Sequence, residues 1–192
     1  MEENFDALEV IARTRGKVDM DSTPTANPLF VLWGSVTAFF YLLEFIFWPI
    51  YQAEWCLWLW VGVPVTACPL MAIILKKDRG RSHMRSRRSK IVLDYWIFTG
   101  TAICLGGFLF GFADVYYVAE NPMICLLVGI GAFITGEATR YKPMIICGLL
   151  GAAIGIGSFV LQGDLWYWQM LSVVVTAVIA LIIPGILYKR EC

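Results

Sequence analysis

Residues 28–50 read PLFVLWGSVTAFFYLLEFIFWPI, an apolar run interrupted by a single charge, Glu44. A helix rises about 1.5 Å per residue, so this run alone reaches across a hydrocarbon core of about 30 Å. Five more runs follow, at residues 56–75, 91–113, 122–139, 143–161 and 165–187. Each matches the roughly 17–25 residues that a membrane helix needs. In lipid, only helices and closed barrels satisfy every backbone group. Barrel strands alternate in polarity over about 10 residues, and these runs do not alternate. The expected fold is therefore all-α: a polytopic membrane protein of six transmembrane helices.

Composition agrees. Of the 192 residues, 59% are hydrophobic and 16% charged, against roughly 25% charged in soluble domains. Proline marks the edges: Pro28, Pro122 and Pro143 read as helix starts, where a missing N–H costs nothing, and Pro49 and Pro184 fall near helix ends. The first 27 residues are polar and show no signal peptide.

Charge sets the expected orientation. With the N-terminus inside, the inner segments are 1–27, 76–90, 140–142 and 188–192, and they hold all fifteen Lys and Arg. The outer loops hold Glu54, Asp114, Glu120 and Asp164 and no base. By the positive-inside rule both termini are cytoplasmic. Aromatic residues give a second signal. Trp48, Tyr51, Trp55, Trp58, Trp60, Tyr116, Tyr117, Trp166, Tyr167 and Trp168 gather near the outer ends, as an interfacial belt does, while Trp33 and Trp96 lie near the inner ends.

Two inner features are open to partners. Phe5, Leu8, Ile11 and Ala12 follow helical spacing, with acids in the first turn and Arg13 and Arg15 in the last. This predicts a short amphipathic helix on the cytoplasmic face. The inner loop carries Lys76, Lys77, Arg79, Arg81, Arg85, Arg87, Arg88 and Lys90, suited to anionic lipid headgroups. No nucleic-acid motif surrounds these bases, so no nucleic-acid partner is expected. Gly107-x-x-x-Gly111 and Gly151-x-x-x-Gly155 read as helix-packing faces, within the chain or in a homodimer.

Chemistry has few places to sit. The six cysteines form no C-x-x-C pair, and His83 is the one histidine, so no metal or cofactor site is expected. Asp94 and Glu137 lie near Lys90 and Arg140 at helix-pair spacing. Glu44 is different: it lies about 9 Å below the outer end of the first span, with no base in the outer half. Acids inside a span are costly and stand as functional candidates. At the same depth the other spans carry Gly62, Gly106, Gly129, Gly155 and Ser172. In the second span Pro64 and Pro69 free the carbonyls of Trp60 and Val65. A broken helix beside a buried acid is an arrangement transporters use. The expected site is an outward pocket at Glu44, Trp60, Gly62 and Pro64. The competing expectation is plain packing, with Glu44 bonded to Thr66 or Tyr41.

The charged N-terminal helix, Phe30-Val-Leu-Trp33-Gly34, the basic middle loop and Pro184-Gly185 together resemble a group of small six-span bacterial membrane proteins. That resemblance implies architecture and a bacterial inner-membrane location, and brings no catalytic residue. The architecture is also similar to the substrate-binding subunits of energy-coupling-factor transporters, although no polar ligand-reading loop matches theirs. Two functions are expected to compete: small-solute or ion binding and transport at Glu44, and a scaffold or sensor role through the N-terminal helix and basic loop. No clustered His, Asp or Ser constellation suggests an enzyme.

Overall fold

The computed structural model describes residues 26–51, 54–78, 87–112, 116–161 and 165–191. The expected N-terminal amphipathic helix lies outside these residues, as do Arg79, Arg81 and Arg85 of the basic loop. Among the described residues every regular element is a helix. We label them α1 (Ala26–Tyr51), α2 (Gly62–Asp78), α3 (Arg87–Phe112), α4 (Tyr116–Thr139), α5 (Lys142–Ser158), α6 (Trp168–Ala177) and α7 (Ile183–Glu191). A 3-10 segment, Glu54–Val61, precedes α2, and a π turn, Val178–Ile182, joins α6 to α7.

Five helices are long and apolar enough to cross a membrane: Pro28–Tyr51, Trp58–Lys76, Lys90–Phe108, Glu120–Thr139 and Trp168–Leu187. The sixth, Lys142–Ser158, is apolar but shorter. Their outer faces carry large apolar side chains in the open, among them Ile73, Ile97, Phe98, Ile146, Ile156 and Val160. Such a coat is unfavourable in water and ordinary in lipid. The chain is a multi-pass membrane protein.

The centre is built by α4, α5, α6 and α1. Half of the apolar window of the last span and 44% of that of α4 is buried, against 11% for α3. The tightest pair is the α4–α5 hairpin. Gly136 packs on the backbone of Ile145, Gly148 on Phe133, Gly155 on Leu126 and Gly129 on Ala152. Seven residues up one helix correspond to seven down the other, so the small residues form one antiparallel seam. A Cβ at any of these four positions would collide with backbone, not with a movable side chain. This seam also explains why the two runs beginning Pro122-Met-Ile and Pro143-Met-Ile look alike: each presents glycines to the other.

The hairpin turn is a Schellman closure. Arg140 takes φ 56°, its N–H donates to the Glu137 carbonyl at 3.3 Å, and the Tyr141 N–H donates to the Gly136 carbonyl at 2.9 Å. Glycine is the usual occupant of that left-handed position. Pro143 then begins α5, as the sequence predicts. At the far end Phe159, Val160 and Leu161 continue in i→i+3 bonds, and the Gln169 amide closes the end by donating to the Leu161 carbonyl at 2.5 Å. The fifth run expected over 143–161 is thus an α-helix followed by one tighter turn.

Docking of α3 on α4 uses Gly131, which lies under Tyr95 and Trp96. The Tyr95 hydroxyl donates to the Leu127 carbonyl at 2.8 Å, and the Trp96 indole to the Thr135 hydroxyl at 3.0 Å. On the other side Gly34 of α1 receives the π turn, with Ile182, Leu181 and the Ala177 carbonyl all within 3.1 Å of where a Cβ would stand. The wider turn sits just before Pro184, and the Ile183 N–H reaches back five residues to the Val178 carbonyl. Proline cannot donate, and the π turn absorbs that gap.

Two sequence expectations change. Pro122 does not start a helix: α4 begins at Tyr116 and takes Pro122 into its interior. Membrane helices tolerate interior proline where neighbours re-satisfy the backbone. Glu120 therefore belongs to a span and not to an outer loop. Likewise α3 begins at Arg87, so Arg87, Arg88 and Lys90 stand on its first turn, with Lys77 in the last turn of α2. Lys76 and Lys90 are exposed, as contact with headgroups requires.

Candidate functional site

Tyr41 and Glu44 lie three residues apart on α1, hence on one face, and both are buried, Glu44 to 4% exposure. Beside them is a cavity lined by Tyr41, Glu44, Trp60, Glu120, Asn121, Trp166 and Met170. Its empty space is about 280 Å³ counted out to its open mouth, and its enclosed part has room for about one water. The lining comes from α1, the 3-10 segment, α4, α6 and the residues leading into α6.

Each wall has a local cause. Residues 54–61 form an unusually long 3-10 stretch, since such runs seldom exceed about four residues. At its end Gly62 presses against the ring of Phe40 on α1 with no side chain between. This contact draws the segment onto α1 and brings Trp60 into the core, at 5% exposure. Thr66 steadies the junction by donating to the Gly62 carbonyl at 2.7 Å. From the opposite side α3 supplies Gly107. A Cβ there would stand 2.8 Å from the Trp60 ring and 2.9 Å from Glu120 Oε1, so this glycine is the floor beneath both. Phe108 adds an edge-on contact to Trp60, with centroids 5.4 Å apart.

Polar groups in this region are incompletely matched. Glu44 Oε2, Trp60 Nε1 and Gln169 Oε1 are buried without a hydrogen-bond partner. Most buried polar atoms in folded proteins are paired, so orphans cluster where something else binds or moves. Glu44 and Glu120 both line the cavity, so their carboxylates repel each other when both are ionised. No group of three or more His, Cys, Asp or Glu among the described residues is arranged to hold a metal ion.

Of the sequence-predicted site residues, the structure brings Glu44 and Trp60 together. Gly62 and Pro64 do not line the cavity: Gly62 is a helix contact, and Pro64 lies in the first turn of α2. The layer of small residues gives close backbone approach and not space, as Gly129 and Gly155 show in the α4–α5 seam. Ser172 donates to the Gln169 carbonyl at 2.6 Å and lies 3.6 Å from Cys125 Sγ. The Thr66 hydroxyl is engaged within its own helix. Gly107, Gly151 and Gly155 all pack inside the chain.

Sequence reasoning missed Glu120, Asn121, Trp166 and Met170 as lining residues, and named Tyr41 only as a packing partner of Glu44. Glu120 had a signal. Stepping back along α4 from Thr135 through Gly131 to Ile124 follows a buried helical stripe, and one more step of four reaches Glu120. No family model matches the chain, and no curated protein or solved structure matches it either.

Proposed function

We propose that the chain crosses a bacterial cytoplasmic membrane six times, with both termini inside, and binds a small solute or ion in an outward-facing pocket at Glu44 as a step in transport. One observation carries the reading: a carboxylate oxygen of Glu44 is buried without a partner against a cavity that a second acid, Glu120, also lines. An acid kept at such cost inside a membrane helix acts through what it binds. The 3-10 segment that carries Trp60 supports it, because non-α backbone at membrane depth lines cavities in transporters.

The six-span reading is supported at α5. Its 17 residues rise about 25 Å, and the following tighter turn adds about 6 Å. Together they match a core of about 30 Å.

The test is binding and flux in sealed vesicles across a panel of small ions and polar solutes, comparing the wild-type chain with Glu44→Gln. The expected result is one ligand class whose uptake is lost in the variant. Identical behaviour of the two proteins across the panel overturns the proposal in favour of a scaffold role.

A further inference from the structure

Two acids meet in this cavity, and no base accompanies them. Residues 18–75, 91–139 and 143–188 contain neither Lys nor Arg. Along α4 the nearest base to Glu120 is Arg140, about 30 Å away by helix rise. The titratable groups near Tyr41 and Glu44 are Glu120 and Cys125 on α4 and Cys104 on α3. From the remaining walls Trp60, Trp166 and Met170 bring no titratable group. Two carboxylates that share a site of this kind repel each other when both carry charge, so the doubly ionised pair readily takes up one proton.

Three further features narrow the ligand. Space for about one water excludes organic solutes from the position between the acids. Four lining side chains bear oxygen, namely Tyr41, Glu44, Glu120 and Asn121, and all of their oxygens together reach only the lower bound of a divalent site. A hard divalent cation takes about six to eight oxygen ligands. Finally, the Trp60 indole N–H is an unpartnered donor, nine-tenths buried, at the same cavity. A donor stabilises a carboxylate oxygen and repels a bare cation.

We infer that Glu44 and Glu120 share one proton across the cavity, and that this proton is the ligand the pocket loads and releases. The inference rests on the reading of the pocket as a binding site, and it names what binds. Loading adds one proton from outer water to the pair and leaves it with a single negative charge, held by the Trp60 N–H. Release to either side returns that proton to water without any redox or covalent change.

Dicyclohexylcarbodiimide distinguishes a protonated acid in an apolar site from an ionised one. The carboxyl proton passes to a carbodiimide nitrogen, the carboxylate oxygen bonds the central carbon, and the adduct rearranges to a stable acylurea. The full chain in vesicles is treated with the reagent and digested, and modified peptides are read by mass spectrometry. The expected result is modification of Glu44 or Glu120 at neutral pH that declines at least tenfold as the pH is raised, with no protection by sodium, lithium or potassium. In Glu44→Gln, Glu120 loses its like-charged partner, so its labelling declines at a lower pH. Glu120→Gln shifts Glu44 in the same direction. Both amides fill the space of the acids, so folding is checked by gel filtration and circular dichroism of each variant.

Absence of labelling in a folded protein overturns the inference, as does an unmoved pH midpoint in both variants. Protection by a metal cation overturns it too, while leaving the binding pocket intact with a different ligand. Proton-dependent labelling without flux upholds the shared proton and removes transport.

Discussion

Gly107 is the residue against which two of the cavity's lining side chains, Trp60 and Glu120, both pack. Adding one methyl there places a Cβ 2.8 Å from the Trp60 ring and 2.9 Å from Glu120 Oε1. Both groups must shift, and overpacking of this kind costs about 1–3 kcal/mol. Gly107→Ala is therefore expected to lower thermal stability in detergent and to reduce ligand uptake together. Trp60→Phe removes the unpartnered N–H together with the outer edge of the indole that packs on Gly107, so stability is expected to fall by about 1–3 kcal/mol while uptake or its pH profile also changes. A loss of stability without a functional change would make Trp60 a packing residue only. At this scale Glu44 is legible in the sequence, because a lone acid in an apolar run has no structural excuse. Its partner was hidden by Pro122. Read as a helix start, that proline puts Glu120 outside the membrane; carried inside a longer helix, the same proline leaves Glu120 buried.

Helix identity is clear from hydrophobic length, but helix type is not. Nothing local in Glu54–Val61 demands 3-10 geometry, which accompanies the contact of Gly62 with Phe40. The π turn Val178–Ile182 has a local cause in the missing N–H of Pro184 and a tertiary one in its contact with Gly34. The α4–α5 hairpin behaves in the opposite way. Its Pro143 start and the packing role of Gly151-x-x-x-Gly155 are plain in the sequence, whereas Gly129, Gly136 and Gly148 join the seam only in the fold. Two substitutions probe this element in opposite directions. Gly148→Leu drives a side chain into the backbone of Phe133 and is expected to unfold the hairpin or cost at least about 3 kcal/mol, read as loss of the monodisperse peak on gel filtration. Arg140→Gly relieves the positive φ at the turn and is expected to stabilise by about 1 kcal/mol, read as a higher melting temperature. A destabilised Arg140→Gly protein would mean that the arginine holds the turn through its charge more than it strains it.

Across the whole molecule, the proposed orientation rests on charge, and the short fifth helix decides whether the count is even. The Schellman turn forces α5 to run back antiparallel to α4. The chain between Arg140 and Lys189 carries no base except Lys142, which lies at that turn. If α5 stopped halfway, the last span would deliver Lys189 and Arg190 to the outer face, against the positive-inside rule. If it crosses, every base stays on one side. Cysteine accessibility tests this in a chain whose native cysteines are replaced by alanine or serine. A cysteine at Asp164 is expected to react with a membrane-impermeant maleimide added to intact cells, and cysteines at Arg81 and Arg190 only after the cells are opened. Labelling at 190 from outside would leave five crossings. It would also put the mouth of the Glu44 cavity in question, because the outer position of Trp166 and Met170 depends on the same crossing. The orientation of the chain and the side from which the carboxylate pair is loaded are thus one prediction, and the cysteine at Asp164 reports on both.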